Sequence, residues 1–182
     1  MRIGVPKEIK SAERRVGLTP GSVRELVAHG HRVCVEEGAG HGIGASDERY
    51  AEAGAIVTDD PGPVFTESEL IINVKEPHAD EVARLTPEHT LFTYLHLAPD
   101  PEQTRALLAS GATCIAYETV TDHRGGLPLL APMSQVAGRM SVQAGAHCLE
   151  SPNGGGGLLL GGVPGVASAK VTVVGGGVVG TN

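Results

Sequence analysis

Four side chains with chemistry to offer, Arg14, Arg15, Lys75 and His96, stand at or just past the ends of short apolar runs. A guanidinium can clamp a carboxylate through two parallel hydrogen bonds. An ammonium can polarise a carbonyl oxygen, and an imidazole can pass a proton near neutral pH. Gathered in one crevice, these groups suit a small anionic substrate with a carbonyl to be protonated. Each also has a plainer explanation. An arginine in a loop is ordinarily a solvated charge, and Lys75 beside Glu76 could be a strand-end charge pair worth little. His96, within Tyr94-Leu95-His96-Leu97, could be a hydrogen-bonded core histidine. The readings separate on whether the fold brings the run ends together.

A second pattern lies at the end of the sequence. Lys170-Val171-Thr172-Val173-Val174 has the β-formers of a short buried strand. It runs into Gly175-Gly176-Gly177-Val178-Val179-Gly180, which fits G-x-G-x-x-G at the strand-to-helix turn of a dinucleotide fold. There Gly175 would allow the tight turn, Gly177 the approach of backbone to a pyrophosphate, and Gly180 the packing of helix on strand. In a chain with 26 glycines the alternative is a glycine-rich loop without a ligand. Only Thr181 and Asn182 follow, without the helix whose N-terminus would hold the phosphates. The acidic residue roughly 20 positions on that would bind a ribose is absent too. The expectation is a piece of a longer dehydrogenase-like chain, most of it outside the nucleotide-binding part.

The elements that would position these groups alternate. Apolar runs at Arg2-Val5, Arg32-Glu36, Ile56-Val57, Leu70-Val74, Leu91-Leu95 and Thr113-Ala116 read as strands. Between them, Thr19-Pro20 opens a helix that Gly30 ends, Ser46 opens one that Gly54 stops, and Pro101 opens one that Gly111 ends. A further helix is expected around Ala79-Leu85. Alternating strands and helices imply an α/β, doubly wound parallel sheet with helices on both faces, and the near-continuous apolar run Leu70-Val74 suits a strand buried on both sides. In such a sheet ligands bind outside the carboxyl ends of the strands, where Arg15, Lys75 and His96 would fall. From Pro128 the character changes. Ser134 could cap a helix to about Leu149 that carries Ala137, Gly138, Ser141, Ala144 and Gly145. The glycines at 154–157 and the segment Gly161-Gly162-Val163-Pro164-Gly165 then punctuate a boundary. Residues 1–128 therefore read as a substrate-binding domain, and 129–182 as a linking helix and the beginning of a Rossmann-type nucleotide-binding domain.

Composition narrows the function classes. Hydrophobic residues make up 41% and charged residues 19%, enough apolar material for a packed core. Aromatic residues are only 3%, so core volume comes from Val, Leu, Ile and Ala. A net charge of -7 with no basic stripe argues against nucleic acid. No apolar window is long enough for a membrane span, and the N-terminus has no apolar signal region. Cys34, Cys114 and Cys148 stand apart, which reads as reduced thiols in cytoplasm. Neither C-x-x-C nor H-E-x-x-H frames a metal site. His29 and His31 flank Gly30 at a helix end, where they would favour the negative pole of the helix.

Longer motifs carry a family resemblance. Met1 to Ile9 (MRIGVPKEI), Arg15 to Pro20 (RVGLTP), Val74 to Pro77 (VKEP) and Leu91 to Pro99 (LFTYLHLAP) closely resemble alanine dehydrogenases. So do Ile115 to Val120, Pro132-Met133-Ser134, Ala137-Gly138-Arg139 and Gly162 to Val166, so that the resemblance covers the whole chain. It implies interconversion of L-alanine with pyruvate and ammonia, with NAD as hydride carrier. It also implies a substrate domain completed by a later return segment, a nucleotide domain between the two parts, and assembly as hexamers. Residue by residue, it implies that Arg15 and Lys75 bind substrate, that His96 is the acid/base, and that Tyr94 and Met133 line the pocket. Ser134, Gly175, Gly177, the Val178 amide and Gly180 would contact the nucleotide. The family's catalytic aspartate would fall beyond residue 182. Gln135 departs from the glutamate common after Met-Ser, removing a charge beside the start of that helix. Two rivals remain: the nucleotide-binding subunit of a proton-pumping transhydrogenase, and a noncatalytic module that only binds a small acid. Lys75 and His96 in their motifs favour the dehydrogenase.

Overall fold

Apolar runs that end in glycine- or proline-marked turns and return through helices fold here into one parallel sheet. The computed structural model describes residues 1–182. The strands are β1 (Arg2–Val5), β2 (Arg32–Glu36), β3 (Ile56–Thr58), β4 (Leu70–Ile72), β5 (Thr90–Thr93) and β6 (Thr113–Ala116). Every pair is parallel, in the order β3-β2-β1-β4-β5-β6. The chain winds from β1 out to one edge, then crosses to β4 and winds out to the other. This is the doubly wound α/β arrangement expected from the alternation.

Caps set the helix ends. α1 (Pro20–Ala28) begins at Thr19, whose Oγ1 accepts from the Ser22 N–H at 3.3 Å. It stops where Gly30 takes a φ of 80°. Nearby, His29 Nδ1 lies 2.8 Å from the Glu25 carbonyl, the carbonyl-end contact expected of a histidine there. α2 (Asp47–Glu52) and α4 (Ala79–Val82) are short, the latter shorter than the expected run to Leu85. α5 (Pro101–Ser110) is capped by Asp100, which accepts from the Gln103 N–H at 2.9 Å, and closed by Gly111. α3 (Pro61–Thr66) is a helix that the sequence reading does not foresee. Asp60 accepts from the Gly62 N–H at 2.8 Å and Pro61 opens the turn, but six residues with Gly62 and Pro63 among them show no helical period.

Side-chain alternation builds a core on each face of the sheet. Ile3, Val5, Val33, Val35 and Ile72 pack with Val23 of α1 and Tyr50 of α2. Ile71 and Leu91 pack on the other side with Val64 and Phe65 of α3, Val82 of α4 and Leu107 of α5. Gly4, between Ile3 and Val5, faces this second layer, where a Cβ would overlap the Val64 carbonyl.

Two strands end earlier than their apolar runs, for a reason that bears on the site. Beyond Ile72 and Thr93 only two backbone bonds remain, from the Asn73 N–H to the Phe92 carbonyl and from the Tyr94 N–H to the Val74 carbonyl, both at 3.2 Å, and side chains take the other groups. The Tyr117 hydroxyl donates to the Asn73 carbonyl at 2.9 Å, and the Thr93 hydroxyl donates to the Lys75 carbonyl at 2.7 Å. The Leu95 and His96 amides donate to the Glu118 carboxylate.

The chain divides into two compact units, Met1–Thr119, which holds the sheet, and Val120–Asn182. The second unit corrects two expectations. Its helix α6 (Ala131–Leu149) starts ahead of Ser134, with Pro132 in the first turn. Ser134 lies inside the helix, its Oγ turned back to the Leu130 carbonyl at 3.5 Å, and caps nothing. Residues Lys170–Val174 form no strand, and Val174 is 96% exposed. β-formers make a strand only where neighbours supply the ladder, and the second unit offers a single bridge, Val163 to Val166. No helix is long and apolar enough to cross a membrane.

Candidate functional site

The order of the sheet locates the crevice. The connections after β1 and β4, which are adjacent strands, leave toward opposite directions of winding, so their carboxyl ends open a cleft. Four strand-end segments meet there: Glu8 to Arg15 after β1, Asn73 to Glu76 after β4, Tyr94 to His96 after β5, and Tyr117 and Glu118 after β6.

Their contacts cross from segment to segment. The Lys75 N–H donates to Glu8 Oε2 at 3.0 Å. Lys10 Nζ pairs with Glu76 Oε2, and His96 Nδ1 lies 2.5 Å from Glu76 Oε1. The Arg15 guanidinium stands 6.0 Å from the centroid of the Tyr94 ring, at the outer limit of a cation–π contact. The Tyr94 and His96 rings stack at 5.9 Å and 14°, while Tyr117 meets Tyr94 edge-on at 4.9 Å. Arg15, Tyr94 and His96 are therefore brought together, and the Lys75 backbone is tied to the same cleft through Glu8 and Thr93. Arg14 is not: it is exposed, and its side chain makes no bond.

This geometry settles the plainer readings. Glu76 does not pair with Lys75; it is taken by Lys10 and His96, and Lys75 Nζ has neither hydrogen-bond nor ion-pair partner. His96 is no core residue, since its side chain is 41% exposed. Arg15 is held. Its Nε donates to Glu13 Oε1 at 2.8 Å and its Nη2 to Glu13 Oε2 at 2.6 Å.

The charges in the cleft are fixed by these bonds. The hydrogen bond from Arg15 outweighs burial and holds the Glu13 carboxyl at about 2, and the same pair pushes Arg15 up. Burial works to raise Glu76, but the bonds from Lys10, its own amide and His96 outweigh it and leave that carboxyl at about 2 as well. Burial pushes the Tyr117 hydroxyl up, with Tyr94 adding to it. Burial also pushes up Tyr94, against the pull of Arg15. Two ionised carboxylates and two neutral phenols thus line the cleft.

A hollow of about 870 Å³ lies elsewhere, at the amino ends of β1, β4 and β5. Arg2 there pairs with Glu69, and His89 lies 2.9 Å from both the Thr86 N–H and the Phe65 carbonyl. Its principal polar groups are satisfied by one another, whereas the carboxyl-end cleft gathers the groups with chemistry to offer.

In the second unit Met133 and Ser134 lie in the first turns of α6. Gly175 has a φ of 108°, and a Cβ on Gly180 would overlap the Gly175 carbonyl, so both positions require glycine. Nothing lies within 4 Å of a Cβ on Gly177, which leaves that backbone open to approach. The Thr181 N–H donates to the Gly177 carbonyl at 3.1 Å, a single helical turn following the glycines. Gly138 of α6 packs against Val179 and Asn182 so closely that a side chain there would overlap the Val179 carbonyl.

Comparison with known families supplies the next observation. The profile described as alanine dehydrogenase/PNT, N-terminal domain, matches residues 4–137, and the corresponding C-terminal domain profile matches residues 141–182. The chain belongs to the alanine dehydrogenase/PNT family. It is 62% identical, over its whole length, to an alanine dehydrogenase of Halomonas elongata and 57% identical to one of Bacillus subtilis. It spans about half the length of these relatives, 49% and 48%. A solved L-alanine dehydrogenase superposes with a TM-score of 0.89 at 53% identity, covering 100% of this chain and 50% of that one. A transhydrogenase from Sinorhizobium meliloti superposes with a TM-score of 0.70 at 26% identity, covering 81% of this chain and 44% of that one. Both solved structures share this fold, and the L-alanine dehydrogenase is about twice as similar in sequence to this chain as the transhydrogenase.

The sequence reading missed the carboxylates of the cleft. Glu8, Glu13, Glu76 and Glu118 each follow a strand end and each neutralise or hold a neighbour there. Acidic residues in the strand-end segments, two after β1 and one each after β4 and β6, were the available signal.

Proposed function

We propose that this chain carries the substrate-binding domain and the start of the nucleotide-binding domain of an NAD-dependent L-alanine dehydrogenase. The observation that carries the reading is the convergence, at the switch point of the sheet, of the strand-end segments that bear Arg15, Lys75 and His96, with Lys75 Nζ and His96 Nε2 uncommitted. L-alanine, NAD and water would give pyruvate, ammonia and reduced NAD, reversibly. Arg15, beside Glu13, holds the substrate carboxylate. Lys75 faces the oxygen that becomes the carbonyl and stabilises charge growing on it. His96 takes the proton of the water that adds to the imine and returns one to the departing amine. Tyr94 lines the pocket.

The residues of the second unit fit a dinucleotide. The turn from Gly175 to Gly180, with the Val178 amide, would hold the pyrophosphate, with Ser134 as a further contact. The bound nicotinamide supplies the acceptor for the hydride leaving Cα. A cytoplasmic, hexameric enzyme goes with this reading by resemblance. The transhydrogenase reading is weaker, because identity drops to 26% for that structure against 53% for the alanine dehydrogenase.

Pyruvate binding tests the reading. In the protein holding both complete family domains, Lys75→Ala should weaken pyruvate affinity by about 10-fold or more, the size of a lost charge-assisted bond. Arg15→Lys should not restore what Arg15→Ala loses, because lysine lacks the planar two-point fork. Titration calorimetry decides: pyruvate bound by Arg15→Lys as tightly as by the parent would remove the clamp.

A further inference from the structure

His96 is held at two places by two carboxylates from different strand ends. Its ring nitrogen Nδ1 is 2.5 Å from Glu76 Oε1. Its backbone amide donates to Glu118 Oε1 at 2.7 Å, and the preceding Leu95 amide donates to the same oxygen at 3.1 Å. Between these two holds, His96 sits at a φ of 43°, a left-handed conformation that L-residues other than glycine avoid. Such a conformation persists only where the surroundings impose it. Gln103 adds a third restraint, its Nε2 donating to the Leu95 carbonyl at 2.8 Å.

We propose that Glu76 and Glu118 are positioning residues for His96: Glu76 fixes the proton on Nδ1, leaving Nε2 as the working nitrogen, and Glu118 imposes the left-handed turn that places the ring. The inference rests on the reading of His96 as acid/base and adds the means by which its orientation and tautomer are set.

Lys10 makes the tautomer assignment sharp. Its ammonium is a donor only, and it occupies Glu76 Oε2. An ionised carboxylate is an acceptor only, so Glu76 can accept a hydrogen bond from an Nδ1–H and cannot donate one. The neutral imidazole must then carry its hydrogen on Nδ1 and present a lone pair at Nε2, which has no partner in the protein. After Glu76→Gln the new amide has one oxygen and one NH₂. Lys10 requires the oxygen, so the NH₂ is turned to the ring and demands a lone pair on Nδ1. The hydrogen moves to Nε2, and the nitrogen meant to accept a proton becomes a donor. Removing the Lys10 ammonium lifts that demand and lets the amide oxygen turn back to the ring.

Glu118 acts through geometry instead of charge. Both amides converge on Oε1, and an amide oxygen can accept from both. Glu118→Gln should therefore keep the turn, whereas Glu118→Ala releases it.

The test uses the protein with both complete family domains, and reads the ¹⁵N shifts of the His96 ring beside turnover. The parent should show the Nδ1–H form. Glu76→Gln should show the Nε2–H form and lose about 100-fold in kcat, the scale of a misdirected acid/base. Adding Lys10→Met to Glu76→Gln should return the Nδ1–H form and at least about 10-fold of the lost rate. Glu118→Ala should lower kcat by about 10-fold with little change in KM, Glu118→Gln should restore it, and neither should matter once His96→Ala is present. An Nε2–H ring in the parent, or a Glu76→Gln ring and rate like the parent's, overturns the clamp. So does an equal loss from Glu118→Ala and Glu118→Gln. Because the ring shifts are read without substrate, they judge the clamp even if His96→Ala keeps full turnover. That last result would sink the acid/base reading alone.

Discussion

His96→Ala, in the protein holding both complete family domains, is expected to lower alanine-dependent turnover by at least ~100-fold, with the fold intact. The size follows from the step removed. Water adding to the imine must lose a proton as the amine gains one, and His96 is the titratable ring of the cleft whose Nε2 is uncommitted. The fold should survive, because the ring is 41% exposed and belongs to neither core. What it leaves behind is Glu76 still paired with Lys10, so no carboxylate is stranded without a cation. Steady-state turnover with alanine, beside thermal unfolding of the same variant, reads both halves of the expectation. A variant with parent-like turnover would take His96 out of the chemistry. A variant that unfolds tens of degrees early would mean that the ring is structural.

Gly4→Ala should be the most damaging single methyl in the first unit. Gly4 lies in β1, which pairs on both sides, with β2 and with β4. An added Cβ would overlap the Val64 carbonyl and stand 2.8 Å from Ser68 Oγ and 3.1 Å from Ile71 Cδ1. Val64 and Ile71 are fully buried, and the overlapping atom is backbone of α3, so no flexible side-chain end can yield. Either α3 lifts from the sheet or β1 shifts against both neighbours, and the expected cost is about 3 kcal/mol. In thermal unfolding that corresponds to a loss of roughly 10 °C for a domain of this size. Gly30→Ala is the matched control. Its φ of 80° is unfavourable for alanine, yet nothing lies within 4 Å of the new methyl. Only the conformational cost of about 1 kcal/mol should appear. Equal melting temperatures for the two variants would contradict the packing of α3 on the centre of the sheet.

Much of this was legible because local chemistry decided it. The strands β1, β2, β3 and β6 are apolar runs bounded by turn residues. The Thr19-Pro20 start and the Gly30 and Gly111 stops fell where capping rules place them. The strand-end residues Arg15, Lys75 and His96 could be picked out because a parallel sheet sends its carboxyl ends to one side. What was hidden depended on partners distant in the sequence. Leu95 and His96 leave the ladder for Glu118, and Lys75 leaves it for Glu8, so β4 and β5 end before their apolar runs do. Residues 170–174 carry every mark of a strand, but a strand is a relation between segments, and its neighbours are not in this unit. Ser134 resembles a cap, yet Pro132 opens α6 sooner. Glu76 looked like a partner for the lysine beside it, and is instead shared by Lys10 and His96 from other segments. Lys75 and Glu76 both lie past the end of β4, where contacts from other segments, and not the neighbour in sequence, decide each side chain's partner.

The most direct test is the reaction itself: the reduction of NAD by L-alanine, catalysed by the protein holding both complete family domains, followed by the appearance of reduced nicotinamide and of pyruvate together. The expected result is one pyruvate per reduced NAD with L-alanine, reversal when pyruvate and ammonia are supplied with reduced NAD, and loss of both directions with His96→Ala. The contradicting result is a folded protein that binds NAD and pyruvate and yet transfers no hydride from alanine.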